Sequence, residues 1–198
     1  MPRQSLKPDI VSAGLRVMFR KGFNGAGIRD VVAEASAPQG CFTNHFRSKE
    51  AFAGEVLDLY FAHVQELVSE ALDDVSLTPR DRLLRYLDLI TDRLAADQFT
   101  RGCLIGDFSL EVVQESADLR QKLQTIYRAW HEPFAACIAE AQRQGQVAAT
   151  FPPDELAEFL IASWEGAILR MKVERTAEPL ERFKRIAFAT VFKEDHPR

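Results

Sequence analysis

Three cysteines in 198 residues, Cys41, Cys103 and Cys137, are too scattered, and odd in number, to make a disulfide framework. They read as free thiols in a reducing compartment, which points to the cytoplasm. The four histidines (His45, His63, His131, His196) share no ligand spacing, so neither a metal nor a cofactor is expected. No apolar run approaches the roughly 20 residues of a membrane helix. The opening MPRQSLKPDI lacks the apolar segment of a secretory signal. Strand-type alternation, repeats and low-complexity tracts are also missing. An all-α fold of about nine helices remains.

Positive charge is scarce overall but unevenly spread. The net charge of −4 argues against a general nucleic-acid binder. Residues 1–50, however, hold eight bases (Arg3, Lys7, Arg16, Arg20, Lys21, Arg29, Arg47, Lys49) against four acids (Asp9, Asp30, Glu34, Glu50). That is net +4 in the head and −8 in the remainder. A small basic head on an acidic body suits a phosphate-contacting domain joined to a regulatory one.

The stretch Gly27 to Glu50 gives that head its design. Ile28, Val31, Val32 and Ala35 recur at i, i+3, i+4, i+7, which predicts a short helix with one apolar face. Ser36-Ala37 interrupts the pattern, and Pro38 suits the first position of a new helix, where its missing N–H costs nothing. The second helix, Gln39 to Phe46, buries Phe42 and Phe46. Its other face offers Gln39, Gly40, Cys41, Thr43, Asn44 and His45, small polar groups able to hydrogen-bond base edges in a major groove. Ser48 is a candidate N-cap for the next helix; Arg29 and Lys49 are placed to meet phosphates.

The segment Lys7 to Glu50 resembles the DNA-binding domain of the TetR family of bacterial repressors. The likeness rests on IVSAGLRVMFRKGF, IRDVVAEA, QGCF and NHFRSKEAF. There are departures: Gly27 stands where the family usually has Thr, Ser36 where Gly is common, Pro38 and Cys41 where Ser or Thr is common, and Thr43 where Tyr is usual. The resemblance implies a head at residues 1–48 and a ligand-binding and dimerisation body at 49–198.

Helix signals continue down the body. Pro8 opens a first helix to about Lys21 with Ile10, Val11, Leu15, Met18 and Phe19 inward, closed by Gly22 and Phe23. The helix from Ser48 runs to Asp73 or Asp74, lined by Phe52, Val56, Leu59, Tyr60, His63, Leu67 and Val68. Thr78-Pro79-Arg80-Asp81 is a capping box with proline at the first helical position. Its helix carries Leu83, Leu84, Leu87, Ile90 and Leu94 to about Ala96. Further helices are expected from Ala117 to about Gln144 (kinked near Pro133), from Asp154 to Arg175, and from Pro179 to about Phe192.

Between two of these helices, Arg101 to Phe108 resembles the GCLxG stretch of one branch of the family, whose members answer electrophiles and small unsaturated acids or aldehydes. Trp164, Ile168 and Lys172 form a stripe at i, i+4, i+8. Cys103, Asp107, Phe108, Tyr127, Trp130, Trp164, Ile168 and Lys172 are thus candidate effector-sensing residues. A cation near Cys103 would lower its pKa and favour the reactive thiolate. A lone cysteine in an apolar stretch is equally a small buried hydrophobe, Lys172 suits a helix C-terminus, and either tryptophan can be core. Cys137, flanked by Ala135, Ala136 and Ile138, reads as core.

One short reading helix makes too few base contacts alone, so a C₂ homodimer on near-palindromic operator DNA is expected. Its interface would be the apolar faces of the last two helices, including Leu160, Ile161, Phe183 and Ile186. A small-molecule effector, reversible or reacting at Cys103, would then shift the population toward a form that releases DNA. Two other readings compete. An enzyme with Cys103 as nucleophile lacks any recognisable base, so no catalytic residue is expected. A protein–protein adaptor with a degenerate head draws on the changes at Gly27, Pro38 and Thr43.

Overall fold

The computed structural model describes residues 5–112, 114 and 116–193; Arg3 and His196 lie outside them. Among the described residues there are nine helices and no strand. They are α1 Lys7–Gly25, α2 Ile28–Glu34, α3 Gly40–His45, α4 Lys49–Leu72, α5 Pro79–Ala96, α6 Leu104–Glu111, α7 Ala117–Arg143, α8 Pro153–Glu174 and α9 Glu178–Thr190.

The ends carry the expected chemistry. Thr78 Oγ1 accepts the Asp81 N–H at 3.1 Å, with Pro79 at the first turn of α5. Ser48 Oγ accepts the Ala51 N–H at 3.1 Å, and Ser116 Oγ the Leu119 N–H at 3.3 Å. Gly22 takes φ +72°, so α1 is broken there and its final turn swings away. Gly145, also at φ +72°, follows the end of α7. The α7 helix continues through Pro133.

The chain packs as two compact units. One comprises residues up to His63 together with Cys103–Ile126; the other comprises Val64–Gly102 and the chain from Tyr127 onward. The backbone passes between them within α4, at Gly102–Cys103, and within α7.

In the first unit the core is Ile10, Ala13, Val17, Met18, Phe42, Phe46, Phe52, Val56 and Phe108. Leu15 and Phe19, expected inward, are half-buried, and Ile28 is 36% exposed because only Val31 and Val32 of α2 face the core. His63, expected among the lining residues of α4, is exposed. The apolar ridge there is Phe61 and Val64, two residues before it and one after.

In the second unit α8 packs on α9, and Arg80 joins the start of α5 to the end of α9. Its guanidinium donates to the carbonyls of Phe192 at 2.8 Å and Phe188 at 3.1 Å. The Lys184 ammonium, 8% exposed, reaches Asp88 and Glu181, each at 2.7 Å. Burial pulls its pKa down, and the two carboxylates outweigh that and hold it above the usual value. Leu160 and Ile161 are buried within this single protomer, so they are core, against the sequence expectation that they form the face between subunits. The apolar residues left outward are their neighbours Phe159, Leu169 and Val173, with Ile186 on α9.

Candidate nucleic-acid interface

The orientation of α3 is fixed from beneath by three rings. Phe42, Phe46 and Phe52 meet pairwise with centroids 4.9–5.1 Å apart, each at most 4% exposed. A six-residue helix has too few internal hydrogen bonds to stand alone, so this cluster holds it in place. With Phe42 and Phe46 pinned inward, Gln39, Gly40, Thr43, Asn44 and His45 are exposed and Cys41 is half-buried. Thr43 Oγ1 donates to the Gly40 carbonyl at 3.1 Å, which leaves its oxygen able to accept. The helix begins two residues after Pro38, and Gln39 already has helical angles. Ser36, in the turn, takes φ +51°, which explains why glycine suits that position.

At the entry to α2, Gly27 offers no side-chain acceptor to the helix. The Gly27 N–H donates to Asp30 Oδ2 at 3.0 Å, and Asp30 also meets Lys21 at 2.8 Å. Lys21, and then the Gly27 N–H, hold the Asp30 carboxyl below its usual range. Glu34 at the other end of α2 accepts from Arg16 at 2.8 Å and Arg20 at 2.6 Å, and these pairs depress its pKa likewise. Lys7 is paired to Glu55 at 2.8 Å. Arg29 and Arg47 make no ion pair among the described residues, and both are exposed. Arg47 entered the sequence reasoning only as a charge, because nothing in its neighbours' spacing marks it.

Arg29, Gln39, Thr43 and Lys49 line one open cleft of about 720 Å³, together with Asn24 and Gly27. Lys49 is anchored there: its Nζ is 3.5 Å from the Asn24 carbonyl and 4.5 Å from the centre of the Phe23 ring. The exposed α3 face and this cleft bring together the eight residues expected to face DNA. The surface has hydrogen-bonding groups for base edges and cations beside them for phosphates.

The eight sensing candidates are distributed over both units. In the first, Cys103 is 7% exposed and precedes α6 as its N-cap, with the Asp107 N–H donating to its carbonyl at 3.0 Å. Phe108, fully buried, meets Phe23 edge-on at 5.7 Å. In the second, Tyr127 stacks on Trp130, whose Nε1–H donates to the Tyr86 hydroxyl at 3.1 Å. Trp164 is 1% exposed, lies 5.6 Å from Phe183, and its Nε1–H has no acceptor among the described residues. Ile168 and Lys172 face Gly102: a Cβ there would lie 3.3 Å from Lys172 Cδ and 3.7 Å from Ile168 Cγ2. Cys137 donates to the Pro79 carbonyl at 3.2 Å, and burial pushes its pKa up to about 11, so it is an inert core thiol. The described residues contain no cluster of metal-ligating side chains. No helix among them is long and apolar enough to cross a membrane.

The chain is similar to known proteins along most of its length. Residues 10–56 match the model for bacterial regulatory proteins of the tetR family, and residues 79–187 match a tetracyclin repressor-like C-terminal domain. The HTH-type transcriptional repressor DhaR of Mycobacterium sp. is 43% identical over 188 residues, covering 95% of this chain and 93% of that protein. The crystal structure of a regulatory protein TetR from Rhodobacter sphaeroides superposes with a TM-score of 0.87 at 32% identity, covering 92% and 97% of the two chains. The reduced form of Escherichia coli NemR gives a TM-score of 0.83 at 26% identity, covering 95% and 97%.

Proposed function

Because the chain belongs to the TetR family of bacterial regulatory proteins, and is a DNA-binding, ligand-responsive repressor of that type, we propose how its own residues carry out the work. Residues 1–48 form the reading head, and 49–198 the effector-binding and dimerising body. Gln39, Gly40, Cys41, Thr43, Asn44 and His45 face the major groove, while Arg29, Lys49 and the unforeseen Arg47 meet phosphates. The observation that carries this is the ring cluster of Phe42, Phe46 and Phe52, opposite which Thr43, Asn44 and His45 are exposed.

Two copies join through α8 and α9 and read a near-palindromic operator in the cytoplasm, where bacterial DNA lies. On α8 the outward residues Phe159, Ala162, Gly166, Leu169 and Val173 recur at intervals of three and four, a seam of the kind that packs helix on helix. Gly166 leaves open space on that seam, so a partner helix can approach closely. Ile186, 54% exposed on α9, widens the patch.

The effector stage rests on Cys103, the buried residue that opens α6. In the covalent form of this reading, the Cys103 thiolate adds to the electrophilic carbon of an activated alkene, forming a C–S bond, and the adjacent carbon takes a proton from water. Reversible binding of a small organic molecule is the other form. A gel shift on DNA upstream of the chain's own gene, with and without N-ethylmaleimide, compares wild type with Cys103→Ser. Release by the reagent in wild type alone supports the thiol sensor. Release in neither directs the search to reversible ligands, and failure of wild type to bind at any salt concentration overturns the repressor reading.

A further inference from the structure

Glu111, the last residue of α6, has a task that neither the composition of the head nor its recognition face requires. Its carboxylate is lodged against the break in α1. A Cβ built on Gly22 would lie 2.4 Å from Glu111 Oε1 and 2.9 Å from Oε2, so the acid occupies the space a side chain would need. Two residues on, the Asn24 N–H donates to Glu111 Oε2 at 2.8 Å. Between them Phe23 packs edge-on against Phe108, one turn earlier on α6.

The same three-residue turn has a second partner. Lys49 Nζ sits above the Phe23 ring and points at the Asn24 carbonyl. Asn24 and Lys49 line the cleft shared with Arg29, Gln39 and Thr43. The turn at 22–24 is therefore gripped by α6 through Glu111 and Phe108, and itself grips a cation of the DNA-facing edge.

We propose that Glu111 is a positioning residue: it locks the Gly22–Asn24 turn to α6, so that Lys49 is set for a phosphate only while α6 keeps its place. The proposal rests on the reading of the chain as an operator-binding repressor. The helix is eight residues, about 12 Å long, and follows directly on its N-cap Cys103, so a displacement at its first turn reaches the 22–24 turn through a rigid rod. An acid this close to a phosphate-binding edge would by charge alone oppose DNA. Replacing it would then tighten binding; the positioning role predicts the reverse.

The test uses the full chain as wild type, Glu111→Ala, Glu111→Gln and Lys49→Ala, with the Glu111→Ala/Lys49→Ala pair. Amide hydrogen exchange at Asn24 is measured without DNA, and affinity for the upstream DNA fragment by gel shift. Glu111→Ala should speed Asn24 exchange and weaken DNA binding, each about tenfold, as expected for a lost charge-assisted hydrogen bond. Glu111→Gln, which keeps an acceptor oxygen, should recover most of both. In the double variant the DNA losses should fall short of the product of the single losses, because both act through one turn. Unchanged Asn24 exchange in Glu111→Ala, tighter DNA binding, or fully multiplicative losses would each overturn the proposal. If wild type fails to bind DNA, the repressor reading and the positioning role fall together, whereas bound wild type with unaltered Glu111→Ala defeats the positioning role alone.

Discussion

Phe52 fills the place where Gly14 would otherwise carry a side chain: a Cβ on Gly14 would lie 2.2 Å from Phe52 Cζ and 3.0 Å from Val56 Cγ2. The first helix can therefore press directly on α4, and the ring that seats there is one of the three that orient the reading helix. Gly14→Ala should destabilise the head by about 1–3 kcal/mol, the usual cost of overpacking a tight core. Thermal unfolding by circular dichroism checks this. A melting temperature equal to that of wild type would show that Phe52 can swing aside freely.

Asn44 lies in the middle of the exposed face of α3 with no role in the core. Asn44→Ala should leave the melting temperature within a degree or two of wild type, while discrimination between the preferred base and its substitutes falls by about 1–3 kcal/mol at one position of each half-site. Competition binding with single-base operator variants reads this. An unchanged preference at all positions would remove Asn44 from base reading.

Val173 is 80% exposed and Leu160 1% exposed, though both lie on α8. The two should fail in opposite ways. Val173→Glu should give a well-folded monomer by analytical ultracentrifugation, with operator binding lost. Leu160→Ala should lower stability by about 2–5 kcal/mol and remain dimeric. A dimeric Val173→Glu would move the interface off this face.

The pairs that tie α2 to α1 make the head sensitive to acid. Arg16 and Arg20 hold the Glu34 carboxyl below its ordinary value of 4.5, and Lys21 with the Gly27 N–H holds Asp30 below 3.8. A carboxyl depressed in the folded state contributes stability that is complete above its ordinary pKa and lost as pH falls through the depressed one. Both groups are solvent-exposed, so the effect is modest. Melting temperature against pH should therefore fall below pH 4.5 less steeply in Glu34→Gln than in wild type. Parallel curves would mean that these pairs do not matter to folding.

Much of this was legible from local pattern. Thr78-Pro79 and Ser48 mark helix starts through chemistry that acts within a few residues, and each does so in the structure, whereas Gly22, expected to close α1, breaks it three residues before its end. Phe42 and Phe46 at a four-residue spacing announced the buried side of α3. What spacing could not settle was which of two apolar faces a helix turns inward. The α8 helix is apolar nearly all round, so Leu160 and Ile161 read as well for an interface as Phe159 and Leu169 do. His63 failed for a related reason, since the ridge of α4 passes through Phe61 and Val64 beside it. The Glu111–Asn24 contact spans 87 positions, and no local pattern points to it.

The inward pairing of the head's bases has a consequence for how tightly the operator is held when the cell's ion content changes. Lys7 and Lys21 are each paired with a carboxylate of the same unit and Arg16 and Arg20 share Glu34, which among the described residues leaves Arg29, Arg47 and Lys49 to displace condensed cations from DNA. With three such groups on each of two heads, the logarithm of affinity should fall against the logarithm of salt concentration with a slope of about −5. Were all eight of the head's bases engaged with phosphates, the slope would be about −14. A slope of about −5 still lowers affinity about thirtyfold for each doubling of salt, so osmotic stress would weaken repression, though far less than if every base of the head met a phosphate.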